Sequence, residues 1–330
     1  MNDCMITISD IARLAGVAKS TVSRYLNGGV VGEETRLKLD RIIKETGYTP
    51  NAFAQSLKAK KTNIVGAIVP RLDSFASSQI LIGVDEELRA ENYQLLISNT
   101  SQTIEREIES IYTLAKQKAA GIILLATEVT AAHLEAFKEI NIPVIIMGQE
   151  EDSIHSVIHD DYTAAYDMGK YILSKGHRRI AYLGVTEKDV SVGIKRKEGF
   201  KKAMEELQGC EVRYYETGFK MEAALTEALE IIKGYKPSII ACATDNIAMG
   251  TLKAANLLKV KVPSELSITG FGGYEVTTII HPTLTTVKLY FKEAGQSAAK
   301  GIIKLIKDEK IPPVIVSKYK IIEGESVDRK

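Results

Sequence analysis

The stretch ISDIARLAGVAKSTVSRYLN (8–27) decides the N-terminal architecture. A helix-turn-helix requires a small residue midway along its first helix, a glycine in the turn and an apolar residue inside its second helix. Ala12, Gly16 and Val22 fill those places. Ser9 is the expected N-cap before Ile11, Ala12, Leu14 and Ala15, and Gly16 permits the sharp turn. The second helix then presents Lys19, Ser20, Thr21, Ser23 and Arg24, short polar and basic groups able to reach base edges and phosphates. On spacing alone an ordinary helical hairpin remains open. A third helix is expected from Glu33 to Thr46, with Leu37, Ile42 and Ile43 on its apolar side and Gly47 as its stop. A fourth, brief helix is expected from Asn51 to Lys58.

Charge is distributed unevenly. Residues 1–61 hold ten Lys/Arg against six Asp/Glu, whereas the remainder holds 33 against 36. A small basic module on a slightly acidic body suits phosphate binding by the module. The whole chain of 330 residues carries a net charge of only +1 and no tryptophan. Its length predicts two or three domains. The three cysteines, Cys4, Cys210 and Cys242, are widely spaced and form no C-x-x-C pair, which suits a reducing compartment rather than a disulfide framework. No secretory signal or bilayer-length apolar run is visible, so a cytoplasmic location without membrane contact is expected.

From Asn63 onward, short apolar runs alternate with amphipathic segments of helical length. The runs are 64–69, 93–98, 121–126, 143–148, 179–184, 238–243 and 266–271; the helical patterns include 77–91, 104–118, 161–174, 196–207, 221–233 and 246–258. Strands that are apolar without alternation have both faces covered, which predicts doubly wound parallel sheets. There are more strand candidates than one sheet comfortably holds, so two similar lobes with a cleft between them are expected. The α/β organisation therefore reads as an all-α headpiece (1–50), a hinge helix and linker (51–61) and a two-lobed body (62–330). Lobe 1 covers about 62–160 and 291–322, and lobe 2 about 161–290.

The block T-I-S-D-I-A-R-L-A-G-V-A-K-S-T-V-S-R-Y-L-N (7–27) resembles the signature of the lactose/galactose-repressor family. The similarity continues through ETRLKLDRIIKETGYTPNAFAQSLK (34–58), GHRRIAYLG (176–184), RKEGFKKAM (196–204), ATDNIAMGTLKA (243–254) and PTLTTV (282–287). The resemblance implies a repressor that binds a pseudo-palindromic operator as a homodimer, with a body like periplasmic sugar-binding proteins and a small sugar or sugar phosphate in its cleft. It implies base reading by Lys19, Ser20 and Thr21, and contacts to bases or backbone by Thr7, Ser9, Ser23, Arg24 and Asn27. Near the hinge it implies DNA contacts by Tyr48, Asn51 and Ala54, and a minor-groove wedge at Leu57, where an apolar side chain unstacks one base step.

In the cleft it implies effector contacts by Asp73, Ser74, Phe75, Gln149, Asp160, Arg196, Phe219, Asp245 and Gly272. Carboxylates and an arginine suit paired sugar hydroxyls, and an aromatic face suits a sugar's C–H surface. Several positions depart from the family pattern. Gly272 and Gly273 stand where many members carry acidic or amide groups, Asp161 and Ala164 depart from the usual D-N-x-x-G, and Ala18 and Gly32 replace common serines. Within the family, GFGGYEVT (270–277) together with STVSRYLN (20–27) is most similar to repressors of sucrose-utilisation operons. Lys195, Arg196 and Lys197 cluster at one mouth of the expected cleft, which leaves a phosphorylated sugar open. Control by a phosphorylated carrier protein, or a sugar-binding protein without a DNA role, are the alternatives. No nucleotide-binding glycine loop, G-x-S-x-G or zinc-helix motif is present to suggest an enzyme, cofactor or metal. His155 and His159, four apart, lack the glutamate of a zinc helix.

Overall fold

A computed structural model describes residues 6–26, 28–48 and 62–330, which divide into two compact units at Thr62–Asn63.

The N-terminal unit contains α1 (Ile8–Ala15), α2 (Lys19–Leu26) and α3 (Glu33–Thr46). Thr7, not Ser9, caps α1. Its hydroxyl accepts from the Asp10 N–H, and the Asp10 carboxylate accepts from the Thr7 N–H at 3.0 Å, a reciprocal box that satisfies two end donors. Ser9 lies in the first turn instead. Gly16 ends α1 at φ 65°, a left-handed conformation that glycine adopts without a Cβ penalty. Ile11, Ala12, Ala15, Val22 and Leu39 form the buried centre of this unit. In α3 the buried leucine is Leu39, at 0% exposure, whereas Leu37 is 64% exposed. The 3.6-residue period puts Leu39, Ile42, Ile43 and Thr46 on one stripe and turns Leu37 away from it. Gly32 caps α3 with no side-chain bond, and Glu33 and Glu34 in the first turn complement the free N–H groups. The expected fourth helix, 51–58, lies outside the described residues.

The body contains two six-stranded sheets. The first runs β11-β5-β4-β3-β1-β2 and is parallel throughout. Its strands are β1 (Ile64–Val69), β2 (Gln94–Asn99), β3 (Gly121–Leu125), β4 (Val144–Met147), β5 (His155–His159) and β11 (Val314–Ser317). The second runs β12-β10-β9-β8-β6-β7. Its strands are β6 (Arg179–Gly184), β7 (Glu211–Glu216), β8 (Ile239–Cys242), β9 (Ser267–Gly272), β10 (Thr285–Leu289) and β12 (Tyr319–Ile322). Only the β10–β12 pairing is antiparallel. The central strands β3, β4, β8 and β9 are buried along their whole length, as their unalternating apolar sequences require.

The connecting helices are α4 (Phe75–Ala90), α5 (Ile104–Lys116), α6 (Ala131–Glu139), α7 (Asp161–Ser174), α8 (Arg196–Glu205), α9 (Met221–Gly234), α10 (Asp245–Leu257) and α11 (Phe291–Ile306). A π-helical segment, Val190–Lys195, leads directly into α8. Strand β12 corrects the expected lobe boundary: residues 319–322 pair with β10 in the second sheet, so the first lobe ends at β11. The tail beyond β12 is tied to the second lobe, where buried Ser326 accepts from the Thr285 N–H at 2.9 Å and donates to the Ile268 carbonyl at 2.6 Å. The chain passes between lobes three times: from β5 to α7, from β10 to α11 and from β11 to β12.

Candidate functional site

In parallel α/β sheets, ligands bind at the carboxyl ends of strands, where backbone groups and helix N-termini face open space. Both sheets direct those ends at one cavity of about 160 Å³ between the lobes. The first lobe contributes Arg71, Ser74, Thr127, Met147, Gly148 and His159; the second contributes Asp189, Ser191, Arg196, Phe219, Asn246 and Tyr274.

Arg196 is its most constrained charge. It is 6% exposed, its Nε–H donates to the Asp161 carboxylate at 2.7 Å, and an Nη1 N–H donates to the Ala243 carbonyl at 2.7 Å. The guanidinium lies over the Phe271 ring, 4.0 Å from its centroid. These two bonds leave N–H donors of the guanidinium fork for a ligand. Asp189 supplies an acceptor. It caps the π-helical segment by accepting from the Val192 N–H at 2.9 Å, and burial lifts its carboxyl above the ordinary value, against the pull of that bond and of Arg196. Phe219 offers an aromatic surface beneath the Arg71 guanidinium, 4.8 Å from the ring centroid. Donor, acceptor and ring together match what a polyhydroxylated ring presents.

Of the residues expected in the cleft, Ser74, Arg196 and Phe219 line the cavity. Ser74 also caps α4 by accepting from the Ser77 N–H. The others sit off it, each for a physical reason. Asp73 faces the outer mouth, where Arg71 lies 3.6 Å away. Phe75 stacks on Tyr274 with ring centroids 4.3 Å apart. Gln149 donates to the Thr127 carbonyl at 2.9 Å and to the Ser191 hydroxyl at 3.3 Å. Asp160 caps α7 by accepting from the Thr163 N–H at 3.1 Å.

Asp245 is 0% exposed and tethers α10 to the β9–β10 connection. It accepts from the Thr286 hydroxyl at 2.6 Å and the Tyr274 N–H at 2.8 Å. Burial lifts its carboxyl to about 6, opposed by those bonds. Gly272, at φ 138°, does not line the cavity either: a Cβ there would come within 2.4 Å of the Tyr274 ring. Tyr274 itself is nearly buried and fills the space that a larger residue at position 272 would need. Lys195 and Lys197 also lie off the cavity, and Lys197 pairs with Glu187 at 2.9 Å.

Arg71, Thr127, His159, Asp189, Ser191, Asn246 and Tyr274 escaped the sequence reading. The available signal was positional: all but Asp189 and Ser191 end a strand or lie within four residues of its carboxyl end.

In the N-terminal unit, Lys19, Ser20 and Arg24 are exposed along α2, while Thr21 and Ser23 are partly covered. Thr7 and Ser9 are exposed at the start of α1, and Tyr48 is half-buried against the core of this unit. The positions Asn27, Asn51, Ala54 and Leu57 lie outside the described residues. No group of acidic, histidine or cysteine side chains among the described residues could hold a metal ion. No described helix is long and apolar enough to cross a membrane.

Comparison with known proteins gives a family match at both ends of the chain. Residues 7–51 match the bacterial regulatory proteins of the lacI family, and residues 170–327 match a periplasmic binding protein-like domain. The sucrose operon repressor of Staphylococcus xylosus is 41% identical over 313 residues, covering 94% of this chain and 97% of that protein. Catabolite control protein A of Priestia megaterium is 31% identical, covering 94% and 96%. A crystal structure of the lac repressor dimer, bound to operator and the anti-inducer ONPF, superposes with a TM-score of 0.90. That match spans 98% of this chain and 99% of the other at 21% identity, a likeness of fold. On these grounds the chain belongs to the lacI family of bacterial regulatory proteins, and it is a regulator, not an enzyme.

Proposed function

We propose that this chain represses a carbohydrate-utilisation operon of the sucrose type, binding a pseudo-palindromic operator as a cytoplasmic homodimer whose affinity is set by a sugar between the lobes. The observation that carries the reading is the cavity formed jointly by both lobes, in which Arg196, Asp189 and Phe219 converge, on a chain that also bears a helix-turn-helix. The sucrose assignment is supported by the name of the 41% identical relative.

The charge balance favours an uncharged sugar over a phosphorylated one at this spot. Asp161 already neutralises Arg196 at 2.7 Å, so the guanidinium acts as a positioned donor fork more than as a free cation. Lys197 is engaged by Glu187, and the expected cationic mouth is correspondingly weakened.

The test is selection of bound sites from random duplexes by the full chain, followed by titration of the selected site with sucrose, fructose, glucose and their 6-phosphates. The expected result is a pseudo-palindrome with half-sites about one helical turn apart, and an affinity that sucrose changes at fixed salt. Failure to select a palindrome would overturn the operator reading. A response only to 6-phosphates, or only to a phosphorylated carrier protein, would reassign the effector.

A further inference from the structure

His159 stands where the three connections between the lobes converge, and nothing in the recognition scheme above uses it. It is the last residue of β5, immediately before the passage into α7. In the sheet register it lies opposite Ser317, the last residue before the passage from β11 to β12. Its ring meets the Phe291 ring at 5.2 Å and 83°, and Phe291 opens α11 just after the passage from β10. The ring lines the cavity, yet its Nδ1 is buried with no hydrogen-bond partner among the described residues.

A buried ring nitrogen without a partner loses its hydration and receives nothing in return, which native structures rarely tolerate outside functional sites. We propose, building on the sugar-cleft reading, that His159 hydrogen-bonds a hydroxyl of the bound sugar and thereby transmits occupancy of the cavity to the hinge. A neutral imidazole has one donor and one acceptor nitrogen, and a hydroxyl can answer either. Burial drives the ring toward that neutral form; the smaller influence of Asp161 opposes it and that of Arg196 reinforces it. The Arg196–Asp161 pair fixes one side of the ligand on the second lobe, and His159 fixes the other on the crossing strand.

The experiment uses the full chain with His159→Phe, His159→Asn and His159→Gln, read by calorimetry with sucrose, fructose, glucose and their 6-phosphates, and by operator affinity with and without each. Phenylalanine keeps the edge contact with Phe291 and removes both nitrogens; asparagine restores a polar atom near Nδ1, and glutamine one near Nε2. His159→Phe is expected to weaken the bound sugar about tenfold and shrink the sugar-dependent change in operator affinity. His159→Asn should recover most of the loss and His159→Gln little. Wild-type sugar affinity in His159→Phe, or an asparagine variant no better than phenylalanine, overturns the proposal while leaving the sugar-cleft reading intact. If no sugar on the panel binds the wild type, both fall together. Should the phenylalanine variant fail to fold, the contrast between asparagine and glutamine still decides the role of Nδ1.

Discussion

Asp161 and Arg196 are both nearly buried, and each removes from the other the cost of an isolated charge at the cavity wall. Asp161→Ala strands the guanidinium and should lower stability by about 3 kcal/mol, measured by denaturant unfolding. Unfolding as resistant as wild type would mean that solvent in the cleft already compensates Arg196. Arg196→Ala removes a donor aimed at the ligand and should weaken effector binding at least tenfold, since a charge-assisted bond contributes about 1.5–3 kcal/mol, with operator binding retained. His177 makes a separate, pH-dependent contribution. Its imidazole is buried between the Ser238 hydroxyl at 2.9 Å and the Asp328 carbonyl at 3.1 Å, and burial lowers its pKa from 6.5 to about 4. The unfolded chain therefore binds the proton first: stability is full above pH 6.5 and declines as pH falls toward 4. Asp245, raised to about 6, acts in the opposite direction between about 6 and 3.8, so only the difference between variants isolates His177. Melting temperatures between pH 4 and 7 should fall less steeply with acid in His177→Gln than in the wild type. Parallel curves would exclude His177 as a source of acid sensitivity.

At the scale of elements, α2 is held by Val22 against Ile11, Ala12 and Leu39, leaving its polar residues outward. Thr21→Ala should cost about 1–3 kcal/mol at selected base pairs; Arg24→Ala, if Arg24 contacts mainly phosphate, should weaken all sequences alike and reduce the salt slope by about one. Equal effects of both changes on operator and random DNA would argue against base reading by Thr21. Helix α2 was legible because its apolar spacing and the glycine turn are local signals. The central strands were legible because burial on both faces writes an uninterrupted apolar run. Edge strand β7, EVRYYE, left no such trace: its exposed alternation resembles a loop, and only pairing with β6 makes it a strand. Strand β12 begins one residue beyond β11 yet joins the second sheet, antiparallel to β10, a crossing that no periodicity encodes. In α3, counting leucines without their helical phase placed Leu37 inward, where Leu39 belongs. The cleft was legible less completely than the strands. Its residues are set by which loops meet across two lobes, so the sequence does not reveal that the Asp245 carboxylate is engaged by the Tyr274 N–H and the Thr286 hydroxyl, or that Asp189 lines the cavity.

On the scale of the whole body, the lobes are joined at both rims of the cavity. On one rim Arg71 of the first lobe stacks over Phe219 of the second. On the other, the π-helical segment of the second lobe reaches the first: the Ser191 hydroxyl donates to the Gly148 carbonyl at 2.5 Å, Gln149 donates to Ser191 at 3.3 Å, and the Val190 N–H donates to the Thr127 carbonyl at 3.2 Å. A ligand shifts DNA binding only by the difference in its affinity for the joined and the parted lobes. Bonds that favour the joined form therefore contribute to apparent ligand affinity without touching the ligand. Ser191→Ala removes two of these bonds at a cost of about 0.5–1.5 kcal/mol each, so effector affinity should fall by up to about 150-fold. The pattern across ligands is more telling than the size. Because Ser191 acts through the lobe equilibrium, deoxy analogues of the effector should lose affinity in the same proportion as the effector itself. A loss from Arg196→Ala should instead vanish for the analogue lacking the hydroxyl that Arg196 holds. Calorimetry of both variants against a deoxy-sugar series separates the two behaviours. A Ser191→Ala loss confined to one analogue would make Ser191 a direct ligand contact, and the rim would then have no part in setting how far the effector moves the operator equilibrium.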